Sequence, residues 1–225
     1  TNPVGGVISL VANQWEFLGG LISLAWPADI LTLGWLLVLL FSTKLMDGLD
    51  GLVTGQASIG AAIILVLCLL PLYHLPAVAL LSAIMLGAYL GFLPANLFPA
   101  RQFLGESGST LAGFTLGFLA IASGAKLATA LMALGVALID IALVIFGRLR
   151  RRVPITQGDR THLHHQLLDA GFSQREAVVI LWSIGLLFGL GALALQTQGK
   201  LILMAALVVV TIGLSMYATR RSKLL

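Results

Sequence analysis

Two aspartates three positions apart, Asp47 and Asp50, each precede a glycine in the stretch KLMDGLDGL that begins at Lys44. One helical turn would bring both carboxylates to one side, and Gly48 and Gly51 permit close backbone approach or positive φ. A single Asp-Gly pair reads as the solvated end of a helix. A tandem pair beside an apolar run points to chemistry. A second group, FLPANLFPARQFLGESGS at 92–109, breaks helix at Pro94 and Pro99 and supplies the Asn96 amide and the Arg101 guanidinium. Its Gly/Ser-rich end opens a helix, whose free N–H groups suit a phosphate or a capping carboxylate. Capping by Ser109 explains that turn equally well. The third group spans 148–176 and holds His162, His164 and His165 beside Asp159 and Arg160. Offsets of two and three do not share one helix face, which argues against a simple two-histidine metal site. Histidines and arginines do suit phosphate oxygens, as proton carriers or as cations. Most of Arg148, Arg150, Arg151 and Arg152 read as topogenic charge, and Ser173 with Glu176 forms a helix-opening capping box.

The elements that must position these groups belong to a membrane protein. Hydrophobic residues make up 59% of the 225, charged residues 10%, and mean hydropathy is +1.02. Soluble domains carry about 25% charged residues, so a soluble enzyme, a disordered tail and a fibre are excluded. The net charge of +4 is no sign of nucleic-acid binding, because the placement of charges matters more than their sum. The one cysteine, Cys68, lies in an apolar run, so no intrachain disulfide forms.

Seven apolar segments stand out, at 27–43, 52–73, 75–93, 109–123, 127–146, 177–195 and 201–217. They lack the alternation of barrel strands, and backbone polar groups must be paired in lipid, so helices are expected. The expectation is an all-α polytopic bundle, one domain over 1–225, with about seven transmembrane helices. If each segment crosses, Lys44, Arg101, Arg148, Arg150, Arg151, Arg152, Arg160, Arg175, Arg220, Arg221 and Lys223 share one side, and only Lys126 and Lys200 take the other. The positive-inside rule then puts loops 44–51, 94–108 and 147–176 and the tail 218–225 in the cytoplasm. Residues 1–26, with Gly5-Gly6 and Gly19-Gly20, fall outside as a hairpin or re-entrant turn. No basic region precedes an apolar core, so no secretory signal is read, and further spanning segments are expected ahead of Thr1. His74 sits at an outer turn as an interfacial residue. Asp140 is the one acid within an apolar segment, and an intramembrane carboxylate is functional by default.

DGLDGL at 47–52, FL..N..PA..F.G..GS at 92–109 and DR.HLHH at 159–165 together resemble the polyprenyl-phosphate N-acetylhexosamine-1-phosphate transferases. The DR.HLHH form is more similar to the enzymes that use UDP-GlcNAc and start O-antigen, enterobacterial common antigen or teichoic-acid linkage units than to the peptidoglycan translocase. The resemblance implies transfer of a sugar-1-phosphate from a UDP-N-acetylhexosamine to polyprenyl phosphate, releasing UMP at the cytoplasmic face of a bacterial inner membrane. It implies Mg²⁺, with Mn²⁺ as a substitute, and Glu106 in the position of the family's metal-binding aspartate. It assigns catalytic roles to Asp47, Asp50, Arg160, His162, His164 and His165, and substrate binding to Gly48, Asn96, Arg101 and Phe103. Membrane lipids surround such an enzyme, and a homodimer is among the assemblies it allows.

This sequence departs from the family pattern at three points. Nothing before Lys44 matches the family's paired-aspartate loop, as expected if an N-terminal part lies elsewhere. Lys44 stands where the family has a metal-site asparagine, and an ammonium has no lone pair to give Mg²⁺. Glu106 is one methylene longer than the aspartate it replaces. Three readings therefore stand: a sugar-1-phosphate transferase, a catalytically silent relative that binds lipid phosphate or a partner subunit, and a transporter using Asp140 as an ion relay. Transporters place their polar groups at the midplane, whereas these loops share one face.

Overall fold

The computed structural model describes residues 13–17, 22–124, 127–152, 154 and 161–224. The chain opens on a two-stranded antiparallel hairpin, β1 (Asn13–Phe17) and β2 (Ile22–Trp26), with Asn13 opposite Trp26 and Phe17 opposite Ile22. The two strands fall within 1–26, where a hairpin or re-entrant turn is expected; residues 1–12 and 18–21 lie outside the described residues. Eight helices follow among the described residues: α1 (Ala28–Met46), α2 (Leu52–Leu69), α3 (Pro76–Asn96), α4 (Gly105–Ala122), α5 (Leu127–Arg151), α6 (Leu163–Asp169), α7 (Gln174–Ala194) and α8 (Thr197–Ser222).

The helical bundle is built around α2, which packs on α3, α4, α5 and α7. Small buried residues on α2 (Gly55, Ala57, Ser58, Gly60, Ala61) let the neighbouring helices come close, the usual solution where lipid supplies no hydrophobic drive. A Cβ at Gly55 would fall inside the Trp182 ring of α7, and the Trp182 indole donates to the Leu52 carbonyl at 3.0 Å. Similarly, Gly113 of α4 lies against the α1 backbone at Leu39 and Leu40, and Trp35 of α1 donates to Gly117 O at 3.2 Å.

Local chemistry explains where the helices begin. Gly51 has φ of 78°, a left-handed conformation disfavoured for side chains with a Cβ, and it turns the chain from α1 into α2. Pro76 opens α3, where a missing N–H costs nothing. The expected capping box opens α7: Ser173 accepts from the Glu176 N–H, and the Glu176 carboxylate accepts from the Ser173 N–H at 2.8 Å.

The all-α membrane bundle is found, but the count of spanning helices is corrected. Five helices among the described residues are long and apolar enough to cross a bilayer: 28–46, 52–69, 76–96, 174–194 and 198–222. Of the two other apolar segments, that of α4 falls short, and that of α5 is described only in part. Helix α4 spends its first turns on Gly-Glu-Ser-Gly-Ser-Thr. Large apolar side chains such as Leu31, Ile84, Leu187 and Ile202 point outward. Such a surface is untenable in water but is ordinary against lipid tails.

Candidate functional site

Three connecting segments meet at one end of the bundle: 47–51 between α1 and α2, 97–104 between α3 and α4, and 161–172 around α6. The first two are joined by the Asp50 carboxylate, which accepts the Ala100 N–H at 3.0 Å. The first and third meet at Gly48, where an added Cβ would lie 2.5 Å from His164 Nε2. The second segment is tied to α7, because the Arg175 guanidinium donates to the Phe98 carbonyl at 3.0 Å and lies over the Phe98 ring. Asp50, Phe98, Arg175 and Trp182 line a cavity of about 280 Å³ beside these contacts.

The predicted site residues fall into distinct environments. Asp47 caps the end of α1, half-buried; desolvation raises its carboxyl above the usual carboxylate range, and the Ser109 hydroxyl opposes that shift. Asp50 does not back up Asp47 but anchors the second loop. Asn96, expected to bind substrate, is buried and engaged within the fold: its amide donates to Gln102 O at 2.9 Å, and its carbonyl accepts the Thr54 hydroxyl at 2.6 Å. Arg101 and Phe103 are exposed, Phe103 by 76%. Arg160 lies outside the described residues, as does Asp159.

The histidines form a stack. His162 and His164 lie with ring centroids 5.8 Å apart and planes 12° from parallel, and His165 is 4.2 Å from His164. Burial pulls the His164 imidazole down to about 3, with repulsion from His165 and His162 adding to the effect. His164 is therefore neutral at physiological pH, and its buried Nε2 makes no hydrogen bond. This neutral imidazole packs its unbonded nitrogen against the Gly48 backbone. His162 is held from behind by Asp140 of α5, whose Oδ2 lies 2.8 Å from its Nδ1.

Sequence reasoning singled out Asp140 and His162 but not their pairing, read Ser109 only as a cap and Arg175 only as topogenic charge, and missed Thr54 altogether. Only the intramembrane charge of Asp140 gave a signal. Serine, threonine and a helix-entry arginine are too common to mark a site without the fold.

The residues expected at a metal do not, as arranged, fit one. The Lys44 ammonium forms an ion pair with the Glu106 carboxylate. Among the described residues, no three His, Cys, Asp or Glu side chains converge as a ligand group. Hydrated Mg²⁺ needs carboxylate oxygens free of a competing cation. Here a fixed positive charge already sits on the acid that would serve.

The family model for glycosyl transferase family 4 matches residues 4–124. A Bacillus subtilis (strain 168) protein described as a probable undecaprenyl-phosphate N-acetylglucosaminyl 1-phosphate transferase is 33% identical over 187 residues, covering 80% of this chain and 52% of its own. A decaprenyl-phosphate N-acetylglucosaminephosphotransferase of Mycobacterium tuberculosis (strain CDC 1551 / Oshkosh) is 32% identical over 208 residues, covering 80% and 48%. A phospho-N-acetylmuramoyl-pentapeptide-transferase of Halalkalibacterium halodurans is 33% identical over 159 residues, covering 69% and 47%. The chain thus spans about half the length of the curated relatives it matches.

Proposed function

The chain belongs to glycosyl transferase family 4, and from that membership we propose that it serves transfer of an N-acetylhexosamine-1-phosphate from a UDP-sugar to a polyprenyl phosphate. The acceptor is the lipid phosphate, already ionised and a competent nucleophile, so positioning matters more than a strong base. One of its oxygens attacks the sugar-bearing phosphorus. The new P–O bond forms as the bond to UMP breaks, and UMP leaves with the electron pair. The products are polyprenyl-diphosphate-sugar and UMP.

The observation that carries this reading is the meeting of Gly48 and His164. It brings the acidic first loop and the histidine segment, 116 positions apart, to one surface at the end of the bundle. Two phosphate-bearing substrates repel one another, and a site for both needs cationic and hydrogen-bonding groups around the developing charge. Arg101 and the histidines supply them. Mg²⁺ is given no part in the step, because the donor set does not fit it. The membrane is a bacterial cytoplasmic membrane with the site facing the cytoplasm. A cysteine at Thr161 is then labelled by impermeant reagent only from that side, and one at Thr197 only from the other.

The test uses the full natural chain in lipid nanodiscs, with UDP-GlcNAc labelled in the sugar-bearing phosphate and undecaprenyl phosphate as acceptor. Label in the lipid extract, matched by UMP, is the expected result; none in either UDP-GlcNAc or UDP-GalNAc assays overturns transfer. A second reading, a silent relative that only binds lipid phosphate, is favoured by the Lys44–Glu106 pair. It predicts retained binding of undecaprenyl phosphate without transfer.

A further inference from the structure

We propose that Asp140 is the positioning residue of the histidine segment: it sets the tautomer of His162 and caps the helix that carries His164. The assignment of what those histidines act on rests on the proposed transfer reaction; the geometry does not.

A carboxylate within an apolar helix is costly unless strong hydrogen bonds compensate it. Asp140 is 8% exposed and uses both oxygens. Oδ2 lies 2.8 Å from His162 Nδ1, and Oδ1 accepts the Leu163 N–H at 2.7 Å. Leu163 is the first residue of α6, and His162, its N-cap residue, makes no side-chain cap bond of its own. One acid on α5 therefore replaces the missing cap and also grips the ring beside it.

The grip has a chemical consequence. A carboxylate at Nδ1 places the proton there, which leaves Nε2 as the atom His162 offers to the site. In that tautomer Nε2 accepts a proton or hydrogen bond, and once protonated it donates to a phosphate oxygen while Asp140 stabilises the imidazolium. The His162 ring is stacked on His164, so the same contact fixes the ring that meets Gly48. Other charged groups near Asp140 are Arg148 and Asp169, which share with it a cavity of about 450 Å³ between α5, α6 and α8; His164 and His165 face His162 from its own segment.

Asp140→Asn separates capping from tautomer control. The amide oxygen still accepts the Leu163 N–H, but the NH₂ group now faces Nδ1 and drives its proton to Nε2. Loss of the correct tautomer in an Asp-His pair costs orders of magnitude in turnover. In the full natural chain, kcat is expected to fall at least 100-fold with KM for UDP-GlcNAc within threefold, and Asp140→Glu to recover part of it. A purely structural Asp140 would lower thermal stability and leave kcat in the surviving folded fraction within threefold, which would overturn the proposal.

A second readout does not depend on turnover. Solid-state nitrogen NMR of ¹⁵N-histidine-labelled protein, with His162 assigned through His162→Asn, should show Nδ1 protonated in the parent and Nε2 protonated in Asp140→Asn. An Nε2-protonated His162 in the parent would overturn the positioning role. The Nδ1 signature in a parent that transfers no label would uphold that role and reject the reaction.

Discussion

Lys44 and Glu106, 62 residues apart, close an ion pair between the last turn of α1 and the first turn of α4. By resemblance both stand in positions expected to serve a metal, and each departs from the family residue. The two departures answer one another: the new cation is neutralised by the lengthened acid.

Replacing Lys44 by asparagine removes the fixed charge, frees Glu106 and adds an amide oxygen. A divalent ion beside an ammonium suffers twice the repulsion of a monovalent one, so Lys44→Asn should tighten Mg²⁺ or Mn²⁺ binding by about tenfold or more. Glu106→Asp in the same background should add to the gain. Titration of Mn²⁺ followed by electron paramagnetic resonance reads both. Equal affinity in the parent and Lys44→Asn would mean the ammonium does not govern the metal.

Gly48→Ala tests the contact between the first loop and the histidines. The added methyl would sit 2.5 Å from His164 Nε2, so ring or loop must shift. Overpacking of this kind costs about 1–3 kcal/mol. Thermal unfolding should show that loss, and His164→Ala in the Gly48→Ala background should recover much of it, because the clash is removed. Additive destabilisation by the two substitutions would refute the contact.

Buried His164 should make the fold sensitive to acid. Its imidazole titrates near 3 when folded and near 6.5 when unfolded. Between those values the unfolded chain binds a proton that the folded chain refuses, so stability is full above about 6.5 and falls as pH drops toward 3. The loss is about 1.4 kcal/mol per pH unit, or about 3 kcal/mol by pH 4.5. Asp47 acts in the opposite sense, because its raised carboxyl stabilises the fold at low pH and less so as pH rises. Comparing Tm at pH 7 and pH 4.5 in the parent and in His164→Phe isolates the histidine. The variant should lose less Tm on acidification, and equal losses would contradict the assignment.

Much of the bundle is legible in the sequence because lipid imposes a strong pattern. Long apolar runs and the Ser173–Glu176 box fall where the helices do. Spanning capacity was harder to read at α4, whose first turns carry Glu106 and small polar residues ahead of the apolar run. The clustering of three loops was legible from charge alternation alone, yet the duties within them were not. Asn96 has the chemistry of a ligand-binding amide, and only the fold shows Thr54 and Gln102 occupying it. Asp50 has the spacing of a partner for Asp47 and instead holds Ala100. Asp140 and His162 are 22 residues apart on elements whose crossing no periodicity encodes.

Equilibrium binding of undecaprenyl phosphate and of UDP-GlcNAc, measured on the full natural chain in nanodiscs, tests most directly whether the three loops build one phosphate site. Asp47→Asn, Arg101→Ala and His164→Ala take one residue from each segment. Arg101→Ala loses a charge-assisted hydrogen bond to phosphate, and Asp47→Asn and His164→Ala lose acceptors for the hydroxyl or uracil N–H donors of UDP-GlcNAc, so each variant should lose about tenfold or more in affinity for at least one ligand. Unchanged affinity for both ligands in all three variants, each melting within a few degrees of the parent, would contradict a shared site.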